Sequence, residues 1–294
     1  MLFKKKYLVL TLLFLILNFA GCTAVPGCNA GEENSEPAQE EKEMPNEIKE
    51  IETAALEIMQ QADLIPLVEV VSQKSDEDAE AEEEGEDQEV ELTFEKTILG
   101  EVLKRELEAE DNDEESIQLP GDTEEIWDNI KINATKLHDQ WNELEPMVIQ
   151  ENVYTDTINS FEEALDTLTV FVTEQNYFGT LSAANDLTKH LSKIMTPFAE
   201  NAIPTVNELR YHVRNILLNA AIDNYKEAQE SLNYMKEQSL SVTSALEENE
   251  ERAESLNISL DNLQRALNNQ NHGLIKINAA IVMEELIQIM EELE

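Results

Sequence analysis

Hydrophobic residues recur every three or four positions through most of the chain after residue 122, the spacing of one face of an α-helix. This pattern predicts a series of amphipathic helices separated by short turns. The first of them starts at Asp122, which forms a capping-box pattern with Glu125. Its apolar positions are Trp127, Ile130, Ala134, Leu137, Trp141, Leu144 and Val148. Later segments repeat this spacing, so we expect an all-α fold, an antiparallel helical bundle.

Proline, glycine and capping residues mark where these helices should begin and end. Pro146 is expected to end or kink the first helix, because proline removes a backbone hydrogen bond. Thr155 or Asp156 can cap the second helix. Gly179 is expected to stop that helix in a left-handed conformation, and Pro204 stands where a proline starts a helix.

The residues before 122 alternate between apolar segments and acidic segments of low complexity. Residues 46–72 show helical spacing that Pro66 should interrupt, and residues 94–107 predict a second short helix. The acidic runs at 74–91 and 108–115 contain too few large apolar residues to bury a core. We therefore predict disorder at 74–91 and a further acidic loop at 108–115.

The C-terminal helices resemble each other at an offset of 95 residues. Residues 160–195 align without gaps on residues 255–290, and 10 of the 36 pairs are identical. Amphipathic helices share leucine and alanine by chance, which accounts for several pairs. Chance accounts less well for a shared Gln-Asn and a shared terminal Ile-Met in one register. We therefore predict a duplication, with tandem three-helix repeats at about residues 122–198 and 204–294.

The start of the chain has the pattern of an export signal. Three lysines at positions 4–6 precede an almost wholly apolar run at 7–19, which is too short to span a bilayer as a helix of about 20 residues. The sequence Phe-Ala-Gly-Cys from Phe19 to Cys22 follows directly. It resembles the lipobox of bacterial lipoproteins, although the family has an aliphatic residue where this chain has phenylalanine.

The resemblance implies that residues 1–21 are a signal peptide and that Cys22 becomes the lipid-bearing first residue. Cys28 is a rival site, but Pro26 lacks the backbone N–H that an extended protease substrate needs. The implied location is extracytoplasmic, with the chain held at the cell membrane by its lipid anchor. The last 170 or so residues also resemble helical domains of uncharacterised bacterial lipoproteins, from which no functional residue carries over.

Together these patterns divide the chain into four parts. A signal peptide at 1–21 precedes a disordered acidic tether at 22–46. A low-complexity acidic region with two short helices covers 47–121, and the helical domain covers 122–294. The chain has 63 Asp and Glu against 20 Lys and Arg, a formal net charge of −43. Such a charge repels phosphate backbones, so we exclude nucleic acid as a partner.

No pattern of catalytic residues stands out. The chain has no Gly-x-Ser-x-Gly, no glycine-rich phosphate loop and no cysteine after position 28. We therefore predict no catalytic residue, no enzymatic activity and no cofactor. Asp186 with His190, and Glu208 with His212, are weak metal candidates because residues four apart share a helix face. The alternative interpretation is two solvated surface pairs.

Anchor, tether and helices without catalytic residues favour a non-enzymatic binding or scaffolding role toward an unidentified protein of the cell envelope. The alternative is a solute- or metal-capturing lipoprotein with its site between the two helical repeats.

Overall fold

The hydrophobic periodicity corresponds to nine α-helices and one 3₁₀ turn in the part of the chain that the structure describes, and this part contains no strand. The computed structural model describes residues 44–78, 96–110, 121–199, 201–246 and 249–293, without the side chains of 72–78 and 110. The helices are α1 (Asn46–Asp78), α2 (Gly100–Glu110), α3 (Thr123–Gln150), α4 (Thr155–Thr173), α5 (Tyr177–Met195), α6 (Ile203–Ala221), α7 (Tyr225–Ala245), α8 (Glu250–Asn268) and α9 (His272–Leu293). The all-α class predicted from the sequence is confirmed. The signal peptide, Cys22, Cys28 and nearly all of the predicted tether lie outside the described residues.

Four helices form a first ring. α1 packs against α3 and α5, and α4 closes the ring by packing against the same two helices. The apolar face of α1 is enclosed here, because Ile51, Ile58 and Met59 are fully buried. The ring also buries Trp141 and Phe161, whose ring centroids lie 4.3 Å apart. We call this group of four helices the first ring.

The last four helices form a second ring in the same way. α6 packs against α7 and α9, and α8 packs against the same two helices. Its interior includes Leu232, Leu260 and Leu263, all of them buried. The first predicted repeat, 122–198, contains the three helices α3–α5, whereas the second, 204–294, contains the four helices α6–α9. The duplication itself stays a prediction. The first ring contains one further helix, α1.

The two rings share one hydrophobic core. α5 packs against α6, and α2 packs against both α1 and α9, so α2 bridges the rings. Both α1 and α2 come from the 47–121 segment, which we assigned to a separate acidic region. In the structure their apolar faces are buried with the rest of the core, including Leu99, Val102 and Leu103.

Two prolines lie inside helices rather than at their ends. Pro66 lies within α1, which continues to Asp78 and so enters the acidic run that we predicted to be disordered. Pro146 lies within α3. Burial of Leu67 and Val68 just after Pro66 offsets the hydrogen bond that the proline removes. Pro146 is exposed, so water can solvate the carbonyl that loses its partner.

The predicted helix ends are correct in part. Asp122 accepts a hydrogen bond from the Glu125 backbone N at 2.9 Å and caps α3, as predicted. Pro204 lies in the first turn of α6, also as predicted. The second helix begins after Tyr154 with no side-chain cap, so neither Thr155 nor Asp156 has the predicted role.

The turn between α4 and α5 has the same hydrogen bonds as the turn between α8 and α9. Gln175 and Gln270 adopt φ of 52° and 51°, so Gln175, and not Gly179, is the left-handed residue after α4. Asn176 then caps α5 through Oδ1, and Asn271 accepts the equivalent bond at the start of α9, each at 2.9 Å. The shared Gln-Asn of the sequence alignment therefore has a common structural role.

Candidate functional site

The residues predicted as weak metal ligands lie on α5 and α6, where the two carboxylates bond to tyrosines. Asp186 accepts a hydrogen bond from Tyr211 Oη at 3.2 Å, and Glu208 accepts one from Tyr234. His212 packs against both tyrosine rings, with centroid distances of 4.8 Å and 4.4 Å. Nowhere in the described residues do three His, Cys, Asp or Glu side chains group closely enough to hold a metal ion.

Burial disfavours the protonated form of both histidines of this set. Burial lowers the pKa of His212 to about 4, and the charge of Lys189 adds to the effect. Burial also lowers the pKa of His190, with contributions from Lys193 and Lys189. A lysine that disfavours a bound proton also disfavours a metal cation. The structure thus gives this set no geometry that favours the predicted metal site.

A group of buried charges, which sequence reasoning missed, joins α1, α2 and α6. Arg210 donates from Nε to Glu106 Oε1 at 2.9 Å and from Nη1 to Glu52 Oε1 at 2.9 Å. Arg214 donates to the same Glu106 oxygen. The exposed fractions of these four residues run from 0% to 8%. We call them the buried charge cluster.

Neighbouring polar side chains fix both arginines of the cluster. Asn185 Oδ1 and Thr188 Oγ1 accept hydrogen bonds from Arg214 at 2.8 and 2.9 Å. Asn207 Oδ1 accepts one from Arg210 at 2.8 Å. Buried charges persist only when they are paired and hydrogen-bonded. Two carboxylates and two guanidinium groups make the cluster formally neutral.

Asp63 on α1 determines where α2, the helix that carries Glu106, begins. Its carboxylate accepts hydrogen bonds from the backbone N of Ile98 at 2.8 Å and of Leu99 at 2.7 Å. These two N–H groups immediately precede α2, so a side chain 35 residues upstream satisfies them. Burial raises the pKa of Asp63, and the two backbone hydrogen bonds oppose that shift.

A cavity of about 410 Å³ adjoins the buried charge cluster where the first ring, α2 and the second ring meet. Its volume falls within the range of small-molecule binding sites. One part of its wall is apolar and another is charged or polar. The apolar part comprises Met44, Ile48, Met195, Ile203, Ile287 and Met290, with Ala109 beside them. The polar part comprises Lys49, Glu52, Thr53, Glu106, Asn207, Arg210 and Glu291.

One oxygen of the cluster has no hydrogen-bond partner. Glu106 Oε1 accepts from both arginines, whereas Glu106 Oε2 is buried and accepts from no group. An unsatisfied buried acceptor costs free energy, so native proteins rarely keep one without a reason. Glu106 is one of the residues that line the cavity, and its Oε2 is itself enclosed by protein atoms.

A signal for the cluster was present in the sequence. Arg210 and Arg214 are one helical turn apart within the apolar α6, and Glu106 lies between Leu103 and Leu107 on α2. Charged residues on an apolar face indicate burial with partners. The sequence does not say which partners, because 104 and 108 positions separate Glu106 from the two arginines.

Comparisons with known proteins provide neither a family nor a function for this chain. No protein-family model matches the chain, and no curated protein or solved structure is significantly similar to it. Within the described residues, no helix combines the length and the apolar character that crossing a membrane requires.

Proposed function

We propose that this protein is a non-enzymatic, lipid-anchored binding protein that captures a small solute in the cavity between its two rings. The observation that carries the proposal is that Glu106, one of the residues that line this cavity, keeps a buried Oε2 without a hydrogen-bond partner. A ligand that donates a hydrogen bond there would satisfy it, and the apolar wall would bury the rest of the ligand.

The proposed anchor is a lipid on Cys22, which would hold the protein on the outer face of the cell membrane. Mass spectrometry of the protein from its native membrane tests this anchor. We expect an amino-terminal peptide that begins at Cys22 and carries acyl chains, and we expect Cys22→Ser to abolish the acylation. An unmodified Cys22 in the native product, or acyl chains on Cys28 instead, would contradict the anchor.

A thermal-shift screen of small polar and amphiphilic solutes tests solute capture. A ligand that binds only the folded protein raises the unfolding temperature. Ala109 is exposed and lines the cavity, so Ala109→Trp should fill its mouth and abolish the shift. Ala245→Trp is the matched control, because Ala245 is an exposed residue that does not line the cavity. A screen without hits, or hits that Ala109→Trp leaves unchanged, would reject solute capture.

A second candidate function is docking to another protein of the envelope, and an exposed apolar stripe on α9 favours it. Leu274, Ile277 and Ile281 share one helix face and are 44%, 49% and 41% exposed. A photo-crosslinking residue placed at Ile277 should capture one defined partner if this face docks. The same residue at Gln229 on α7 is the control, and equal capture from both positions would argue against docking.

A further inference from the structure

The side chains that line the cavity between the rings indicate the class of ligand that it would bind. This inference rests on the solute-binding function proposed above. We infer that the ligand is a small aliphatic molecule whose head group donates hydrogen bonds and carries no negative charge, with an alkylammonium as the preferred form. Three steps lead from the side chains to this class.

The first step concerns the head group. Glu106 is fully buried, lines the cavity, and keeps Oε2 without a hydrogen-bond partner. A carboxylate oxygen accepts and does not donate, so the ligand has to supply an N–H or an O–H. Oε2 is enclosed by protein atoms, and because the terminal torsion of a glutamate side chain is soft, rotation about it would turn Oε2 toward a donor in the cavity. A ligand carboxylate offers no donor and adds a negative charge beside Glu106 and Glu52.

The second step concerns the arginine. Arg210 is the guanidinium that lines the cavity, and an exposed guanidinium would select an anion. Its Nε and Nη1 already donate to Glu106, Glu52 and Asn207, and only 6% of its surface is exposed. Among the buried side-chain nitrogens and oxygens of the cluster, Glu106 Oε2 is the one without a hydrogen-bond partner.

The third step concerns the charge and the body of the ligand. The lining contains three carboxylates, on Glu52, Glu106 and Glu291, against Lys49 and Arg210. Arg214 lies behind Glu106 and balances the set before a ligand enters. The protein as a whole carries −43, which draws cations and repels anions. A protonated amine also forms the stronger, charge-assisted hydrogen bond, and the methionine and isoleucine side chains suit an unbranched hydrocarbon body.

Calorimetric titration of the intact protein at neutral pH with three probes that share one tail tests this class. The probes are n-octylammonium, octan-1-ol and octanoate. We expect octylammonium to bind most tightly, octanol more weakly, and octanoate at least about tenfold more weakly than octylammonium, as loss of a charge-assisted bond implies. Ala109→Trp should abolish the binding of octylammonium, and Ala245→Trp should preserve it.

Glu106→Gln adds a reversal test. If the amide oxygen keeps the arginine hydrogen bonds, the NH₂ group takes the place of Oε2 and donates into the cavity. Octylammonium should then lose about tenfold or more in affinity, whereas octanoate should gain. Because this variant leaves Arg214 without its carboxylate, its folding is checked by circular dichroism. If Glu106→Gln does not fold, the relative affinities of the three probes for the unaltered protein decide whether the proposed ligand class is correct.

Each other outcome has a distinct meaning. Octanoate binding as tightly as octylammonium, and lost in Ala109→Trp, would overturn the ligand class while leaving solute capture intact. Equal affinities for all three probes would show that Glu106 does not discriminate between the head groups. This result would also overturn the proposed ligand class. Absence of binding by all three overturns the class as well, and the solute screen then decides the proposed function separately.

Discussion

At the scale of single residues, several buried polar groups have partners that a distant part of the chain supplies. Asp63 satisfies two backbone N–H groups of another segment, and Arg214 reaches Glu106 from a different helix. Such groups are costly when one partner is removed, because the other stays buried and unsatisfied. Residue-level predictions therefore concern these pairs.

Removing the Asp63 carboxylate should destabilise the fold. Asp63→Ala leaves the N–H groups of Ile98 and Leu99 buried without their acceptor, and we expect unfolding to require about 2–4 kcal/mol less. Urea denaturation measures this change. Asp128→Ala is the control, since Asp128 is exposed and pairs only with Lys131 on the surface. Equal losses in both variants would contradict the role of Asp63.

His212 should make the fold sensitive to acid. Its folded-state pKa is lowered to about 4 from a usual value of 6.5, so the unfolded chain binds the proton first as the pH falls. The stability from the neutral ring is complete above pH 6.5 and declines between pH 6.5 and 4. In His212→Phe, the slope of unfolding free energy against pH should be shallower by up to about 1.4 kcal/mol per pH unit in that window. Chemical denaturation at pH 7, 6 and 5 measures the slope, and an unchanged slope would disprove the assignment.

At the scale of elements, the residues within a short turn determine its backbone conformation. The side chains packed around the turn determine which substitutions it tolerates. Gln175 and Gln270 take the left-handed position after α4 and α8, and asparagine caps the helix that follows. The turn from α6 to α7 also places a left-handed residue, Asp223, before an asparagine. This backbone turn is therefore used in three helical hairpins. By contrast, Asp128, which stands 95 residues before Asp223, lies inside α3.

Two glycines near equivalent turns should respond in opposite ways to alanine. A Cβ on Gly179 would lie 2.7 Å from Phe171 Cδ1, so Gly179→Ala should lower stability by about 1–2 kcal/mol. A Cβ on Gly273 meets nothing nearer than Asn271 Oδ1 at 3.6 Å. Gly273→Ala should therefore leave stability unchanged or raise it by up to about 1 kcal/mol, because alanine favours helix. Thermal unfolding of both variants measures the two changes in stability. Equal changes would contradict the predicted difference.

At the scale of the whole molecule, the two rings depend on helices from the acidic N-terminal region. α1 completes the first ring, and α2 bridges the first ring to the second. Removing them would expose the faces of α3 and α5 that α1 covers. Both helices also carry carboxylates of the buried charge cluster, so the cavity and its proposed function require them.

A chain reduced to residues 122–294 should lose its tight packing. Without α1 and α2 we expect strong binding of the dye ANS and an unfolding transition that is broader and lower in temperature, because apolar surface and two buried arginines lose their cover. The control is a chain of residues 44–294, which keeps both helices and should unfold sharply. A compact, cooperative 122–294 chain without dye binding would contradict this dependence on α1 and α2.

The sequence by itself determined the all-α class and the helical character of the chain after residue 122, because one apolar face repeats every 3.6 residues. It also identified the Asp122 cap and the shared Gln-Asn, since capping and turn chemistry act over three or four positions. Only the tertiary structure decided that α1 belongs to the first ring and that Glu106 meets Arg210 and Arg214. An apolar face shows that a helix is buried but not against which other helix, and opposite charges a hundred residues apart carry no local mark of their pairing.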